Sequence, residues 1–288
     1  MRIRETKNEV VRTGIIGLGD HSDRSHLMYL ANMPDLCKVT ALGDLDEKRI
    51  QATKEKYELS AKGFTDWRQL VSSPDVDAVL VMTPDRFHTM QLVDAIASGK
   101  HVFCEKPLAS TEKEYYEIVE AFALAEQKNI TVSTCHPRRF DPPFIVMKSY
   151  IESTDTLVGD FGTMGKLGKV TAFVFNFNYH KPSKHGLHMS LMFDHLNHEV
   201  DIMHYLFGVS GIDQATKHHD NETAFFVTGA REDGIQFSFT GARHREESIY
   251  PEDMEIVFEN GSLKMDMHKG TASLSINGQS FPREDSRY

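Results

Sequence analysis

Short apolar runs alternate with amphipathic stretches through the first 135 residues, and few folds accept that order. The runs are VVRTGII (10–16), VTAL (39–42), DAVLVM (77–82), HVFC (101–104) and the segment 130–135. Their apolar residues are consecutive rather than alternate, so both faces of each strand are expected to be covered. The stretches at 25–32, 47–57, 87–97 and 112–127 read as helices, and a shorter one, DWRQLVS, starts at Asp66, a residue suited to an N-cap. Doubly covered strands separated by helices define an α/β, doubly wound domain with a mostly parallel sheet.

In such sheets ligands bind past the C-terminal ends of the strands. Those ends carry Gly17 and Gly19, Asp44, Thr83 with Pro84, and Glu105-Lys106-Pro107. Glycines let the backbone turn sharply and approach a pyrophosphate, whose charge the next helix N-terminus stabilises. The full dinucleotide fingerprint has a third glycine three residues after Gly19; Ser22 stands there, and the helix is expected to begin late, around Asp23. The pair Gly17/Gly19 alone is equally compatible with a plain tight turn. Asp44 lies 25 residues after Gly19, at the end of the second strand. An acid there accepts hydrogen bonds from ribose hydroxyls and repels a 2'-phosphate, which favours NAD as cofactor while leaving NADP open. Asp46 could share that task and Arg49 could soften the exclusion; the alternative reading of Asp44 is a simple loop acid.

After Cys135 the period changes. HPRRFDPPF is a polar, proline-containing connection, and the boundary is placed near residue 134, giving domains 1–134 and 135–288. Helices are expected at 144–153 and 192–207, with a long strand at 167–177 and a polar loop at 178–189. Strands then dominate: 211–216, 224–228, 235–240, 253–259, 262–267 and 272–276, with hairpin turns at Glu-Asp-Gly (232–234) and Glu-Asn-Gly (259–261). The second domain is thus α+β with a mostly antiparallel sheet, and the tail FPREDSRY is expected to fray.

Composition narrows the function. The chain of 288 residues has a formal net charge of -10 and no window of five like charges, which argues against nucleic acid as a partner. No run of 18 apolar residues suggests a membrane span, and the charged N-terminus lacks the apolar centre of a signal peptide. Cys37, Cys104 and Cys135 are isolated, odd in number and set in apolar surroundings, so free thiols in a reducing, cytoplasmic compartment are expected.

GIIGLG with Asp44, TPDRFH (83–88), HVFCEKP (101–107), RRFDP (138–142), LGKV (167–170) and D-x-L-x-H-x-x-D (194–201) occur in order. Together they resemble the glucose-fructose oxidoreductase / inositol 2-dehydrogenase / rhizopine-catabolism family of NAD(P)-dependent oxidoreductases. The resemblance implies an N-terminal Rossmann domain, a C-terminal domain whose open sheet supports homodimers or homotetramers, and an active site between the two. It implies that Lys106 touches both cofactor and a small-molecule substrate, often through a cis Lys106-Pro107 bond, and that Asp194 and His198 match the catalytic Asp and His. Three departures stand out. Ser22 replaces the third glycine and His26 comes one residue later than the customary histidine, as if by an insertion. GLHMSLMF before Asp194 has one glycine where members often have several. The chain is also expected to end some tens of residues earlier than typical members.

The expected chemistry is hydride transfer between nicotinamide and a sugar, cyclitol or related hydroxy or keto compound. Histidine titrates near neutrality, so His198 is the candidate for proton transfer. Asp194 is one helical turn away on the same face, placed to hold a substrate hydroxyl or favour the imidazolium. Lys106 would polarise the reacting oxygen. Cofactor contacts are expected from Gly17, Gly19, Ser22, Asp44, Thr83, Pro84, His88, Glu105 and Lys106, with His88 alternatively supporting its helix and Glu105 alternatively fixing the Lys106 turn. Substrate contacts are expected from Arg139, Tyr179, Lys181, Asp194 and His198; Arg138 or Arg139 could equally brace the hinge. Asp201 reads as structural, His204 as packing, and His195 as pointing away from Asp194. The stretch FDHLNHEVDIMHYLFG (193–208) is rich in metal-ligand residue types, but it lacks His-Glu-x-x-His and cysteine partners, so no metal is assigned. A non-catalytic dinucleotide sensor, and a lyase or hydrolase using NAD transiently, are the alternative functions.

Overall fold

A computed structural model describes residues 10–152, 167–180, 191–221, 223–244, 253–266, 271–276 and 279–283. The chain divides into two compact units, Met1–Cys135 and His136–Tyr288.

In the first unit β1 (Val11–Ile16) leads through α1 (Asp20–Ser22), a π turn (Asp23–Leu27) and α2 (Met28–Leu30) to β2 (Cys37–Gly43). Then come α3 (Glu47–Lys56), β3 (Lys62–Phe64), α4 (Trp67–Val71), β4 (Ala78–Val81), α5 (His88–Ala97), β5 (His101–Cys104), α6 (Glu112–Gln127) and β6 (Val132–Thr134). The sheet order is β3-β2-β1-β4-β5-β6, with every pair parallel. The five apolar runs are all strands; β3, only three residues long, is too short to show as one. Strand order reverses between β1 and β4, so the two chain paths diverge there and leave a crevice at their C-terminal ends.

The helices begin where side chains can take up orphan amides. Asp46, Asp66 and Thr111 each accept a hydrogen bond from an amide two or three residues on, which starts α3, α4 and α6. Apolar residues of α5 and α6 close one side of the sheet, with Leu92, Ala95 and Ile96 buried against Val79, Val81 and Cys104. Each fully buried leucine there contributes about 2 kcal/mol by leaving water.

The expectation of a late helix start is overturned. The helix begins at Asp20, directly after its N-cap Gly19, and the extra residue is absorbed further on by the π turn. A single inserted residue in an α-helix commonly relaxes into such a bulge.

The second unit contains α7 (Pro142–Glu152), β7 (Val170–His180), α8 (Leu191–Phe207), β8 (Ile212–Asp220), β9 (Ala224–Arg231), β10 (Gln236–His244), β11 (Asp253–Phe258), β12 (Gly261–Asp266), β13 (Thr271–Ile276) and β14 (Gln279–Arg283). Its sheet order is β14-β13-β12-β11-β7-β10-β9-β8. Within this sheet only β7 and β10 pair in parallel among the described strands; the others are antiparallel. Phe173 and Phe175, two apart on β7, both face the core with Phe144, Ile202, Met203 and Leu206 from α7 and α8. Gly234 adopts φ +90 in the β9–β10 turn, a conformation that favours glycine. The fraying expected of the tail is corrected in part: Phe281–Arg283 belong to β14, where Arg283 pairs with Ala272 of β13.

Candidate functional site

The loop after β1 is shaped by two glycines with different reasons for being there. Gly17 has φ +93, and a Cβ on it would lie 2.8 Å from the Met82 carbonyl carbon and oxygen. The fold therefore needs glycine at 17. Gly19 has an ordinary extended backbone, φ -79, and among the described residues a Cβ there would meet nothing within 4 Å. The packing of the described residues makes no demand for glycine at 19; open space in front of a helix N-terminus is what an incoming pyrophosphate requires.

Asp44 closes the same loop. Its Oδ2 accepts from the Leu18 amide at 2.9 Å and its Oδ1 from the Asp46 amide at 2.9 Å, while Arg49 Nη1 lies 3.9 Å from Oδ2. The carboxylate is thus held against the glycine turn, not loose in a loop. Asp46 is engaged as the cap of α3.

Two predicted cofactor residues take supporting positions. Ser22 is fully buried, so it fills the packing role of a third glycine and offers no side chain to a ligand. His88 is also buried, with Nδ1 2.8 Å from the Pro107 carbonyl and Nε2 2.7 Å from the Thr83 carbonyl. A direct cofactor contact by His88 is corrected to a clasp joining the β4 and β5 ends. Thr83 Oγ1 donates to Gln91 at 2.6 Å, and Pro84 is exposed beside it.

At the end of β5 the Lys106-Pro107 peptide is cis. Glu105 Oε2 accepts from the Lys106 amide at 3.2 Å, so the carboxylate fixes that turn. Glu105 Oε1 faces two imidazoles, His21 Nε2 and His26 Nε2, each at 2.9 Å. Burial alone would raise the Glu105 carboxyl, but hydrogen bonds from His21, His26 and Cys135 outweigh it and hold the group well below the usual carboxylate range. The same bond raises the His21 imidazole above its ordinary value against the opposing effect of burial. Cys135 is pushed up to about 12 by burial and by the Glu105 carboxylate.

In the second unit α8 carries the acid/base candidates. Asp194 and His198 are one turn apart, as expected. His195 does not point away from the cluster: its Nε2 is 3.5 Å from Asp194 Oδ2, and its ring is stacked on Phe177 at 4.7 Å and lies 6.1 Å from His198. The Arg138 guanidinium covers the Phe177 ring at 4.7 Å. His198 meets His136 edge to face at 5.8 Å, and His136 Nδ1 is 3.8 Å from Asp201 Oδ1. Arg139, expected to bind substrate, instead grips that same Asp201. His136 went unrecognised because 62 residues separate it from His198 in the chain; its place just ahead of the RRFDP motif, with Pro137 between, was the only signal. His204 lies near the end of α8, and burial lowers it below the ordinary histidine value. Tyr179 is on β7, and Lys181, Lys184, His185 and His188 lie outside the described residues.

The first unit thus has the strand order and the glycine and acid signals of a dinucleotide-binding domain, and the second pairs a mixed sheet with a helix that carries Asp194, His195 and His198. The family model described as "Oxidoreductase family, NAD-binding Rossmann fold" matches residues 11–136. The inositol 2-dehydrogenase of Salmonella typhimurium strain LT2 is 31% identical over 202 residues, covering 68% of this chain and 54% of that protein. Among solved structures, the myo-inositol 2-dehydrogenase of Lactobacillus plantarum superposes with a TM-score of 0.73 at 20% identity, over 89% of this chain and 76% of the other. A levoglucosan dehydrogenase in complex with NADH and levoglucosan gives 0.76 at 19% identity, over 96% and 80%. The chain belongs to the glucose-fructose oxidoreductase / inositol 2-dehydrogenase / rhizopine-catabolism family, and its first unit is that family's NAD-binding Rossmann domain. It spans about half the length of the curated relatives it matches. No helix among the described residues is long and apolar enough to cross a membrane.

Proposed function

We propose that this protein is an NAD(P)-dependent oxidoreductase acting on a sugar, cyclitol or related hydroxy or keto compound. The observation that carries the reading is Gly19: glycine where the fold itself has room for a side chain, beside an Asp44 carboxylate tied to the same turn. Gly17 and Gly19 would receive the pyrophosphate and Asp44 the adenosine ribose, which favours NAD. When bound, the cofactor supplies hydride transfer at the nicotinamide ring.

The chain's own residues supply the rest. Lys106 polarises the reacting oxygen and stabilises developing alkoxide charge. His198 takes the hydroxyl proton in oxidation and returns it in reduction. Asp194 holds a substrate hydroxyl or supports the charged imidazole. His136 positions the His198 ring, and Arg139 acts through Asp201 on His136 rather than on substrate. Tyr179 and Lys181 contribute to substrate choice. The family resemblance supports a homodimer or homotetramer, which light scattering measures directly.

The test is nicotinamide absorbance and fluorescence with NAD and a panel beginning with myo-inositol and levoglucosan, the compounds named for two structurally similar proteins. Turnover of a panel member is expected, with Lys106→Ala and His198→Ala each lowering kcat/KM by roughly 100-fold or more while dinucleotide binding persists. Absence of dinucleotide binding overturns the reading.

A further inference from the structure

His21, His26 and Glu105 are the only group of three among the described residues whose histidine, cysteine or carboxylate ligand atoms converge, all lying within 4.8 Å of one another. We propose that they form a binding site for a divalent transition-metal ion of the zinc class. Two imidazoles and one carboxylate are a ligand set that zinc and ferrous iron accept, with at least one position left open.

The geometry has a local cause. Residues five apart on an α-helix are turned well away from each other. The π turn Asp23–Leu27 starts two residues after His21 and contains His26, and it widens the helix by about one residue per turn. It brings their rings onto one side, with centroids 5.8 Å apart. The widened turn therefore pairs two histidines on one carboxylate.

Donor spacing fits an ion. Bonds of about 2.0–2.1 Å in a tetrahedron place donor atoms roughly 3.4 Å apart. The two nitrogens stand 2.9 Å from Glu105 Oε1, so small outward movements admit the ion. His21 can make them, because its side chain is 64% exposed, whereas those of His26 and Glu105 are 14% and 10% exposed. Entry is from the His21 side, onto a largely enclosed carboxylate.

The surroundings orient the ligands. Ser25 Oγ is 3.4 Å from His21 Nδ1, where the ring can donate and leave Nε2 as the lone pair. The Lys106 amide holds Glu105 Oε2, which directs Oε1 to the imidazoles. His26 is packed edge to face against Phe103 at 5.5 Å, which fixes its ring. The ion would link the glycine turn to the end of β5. The inference does not rest on the oxidoreductase reading, since the ligands are defined without a substrate.

The test uses the full chain, stripped with chelator and dialysed. Zinc chloride is titrated by calorimetry and cobalt(II) chloride by visible absorption. One equivalent is expected to bind with a dissociation constant on the order of 1 μM or tighter, and the cobalt form should show intense four-coordinate bands. Zinc should raise the thermal midpoint. His21→Gln, at an exposed side chain, and His26→Gln should each weaken binding at least tenfold and remove the thermal shift. His218→Gln, on exposed β8, should leave binding unchanged and controls for surface histidines. Failure of the wild-type chain to take up one zinc, or uptake undiminished in both His21→Gln and His26→Gln, overturns the proposal.

Discussion

Arg139 holds Asp201 through two parallel hydrogen bonds, Nε to Oδ2 at 2.8 Å and Nη2 to Oδ1 at 2.5 Å. The pair ties the short turn after His136 to α8, and the carboxylate also faces His136, which in turn meets His198. A fork of this kind needs guanidinium geometry as well as charge. Arg139→Lys is therefore expected to behave nearly as Arg139→Ala. A double-mutant cycle with Asp201→Ala, measured by urea unfolding, should give a coupling of about 1 kcal/mol, since the arginine is partly exposed. A coupling indistinguishable from zero would contradict the positioning role.

The two loop glycines should separate stability from binding. Gly17→Ala forces a side chain into backbone contact at positive φ, and a loss of about 2–3 kcal/mol is expected. Gly19→Ala meets no neighbour, so its thermal midpoint should match the wild type. Its affinity for NADH, read by fluorescence titration, should fall at least tenfold. Equal binding by Gly19→Ala and the wild type would remove the ligand-approach argument.

Asp44 tests cofactor choice. Asp44→Ser removes the carboxylate that ribose hydroxyls would use and that a 2'-phosphate would meet. Loss of one charge-assisted bond corresponds to about 1.5–3 kcal/mol, roughly tenfold or more in NADH affinity. NADPH affinity should rise, with Arg49 nearby to receive the phosphate. An unchanged ratio of the two affinities would show that Asp44 is only a loop acid.

Asp233 gives a pH signature. Hydrogen bonds from the fully buried Arg231 side chain lower its carboxyl below the ordinary value, against the effect of burial. A depressed folded pKa means that its stabilisation is present above the unfolded value of about 3.9 and is lost as pH falls through the folded value. Asp233→Asn should cost about 1 kcal/mol at neutral pH, a value kept small by solvent screening of the part-exposed carboxylate, because Arg231 keeps its carbonyl partners at Phe207 and Gly208 but loses its charge partner. The difference from the wild type should shrink towards pH 3. Denaturant unfolding at both pH values measures it, and a difference independent of pH would rule out the ion pair as its source.

Local patterns were legible because they depend on neighbours in the chain. HVFC and 112–127 read directly as β5 and α6, and Asp66 as a cap, since periodicity and capping are short-range effects. β3 and β14 were not legible, because so few residues carry no period and their pairing with β2 and β13 is what makes them strands. His88 looked like a cofactor residue from its place after β4, yet carbonyls on both sides enclose it.

The sequence by itself determined the doubly wound first unit, the acid at the end of β2, and the one-turn spacing of Asp194 and His198. Each is set by residue type and spacing along a few turns or strands. Tertiary structure alone decided what Gly19 and Gly17 are for, since only packing shows where a Cβ would clash and where it would not. It also decided the long-range partners: Arg139 with Asp201, His136 with His198, and Glu105 with His21 and His26. Those contacts span 62 to 84 residues. No local pattern encodes them, because the partners come from separate segments that only the folded chain brings together.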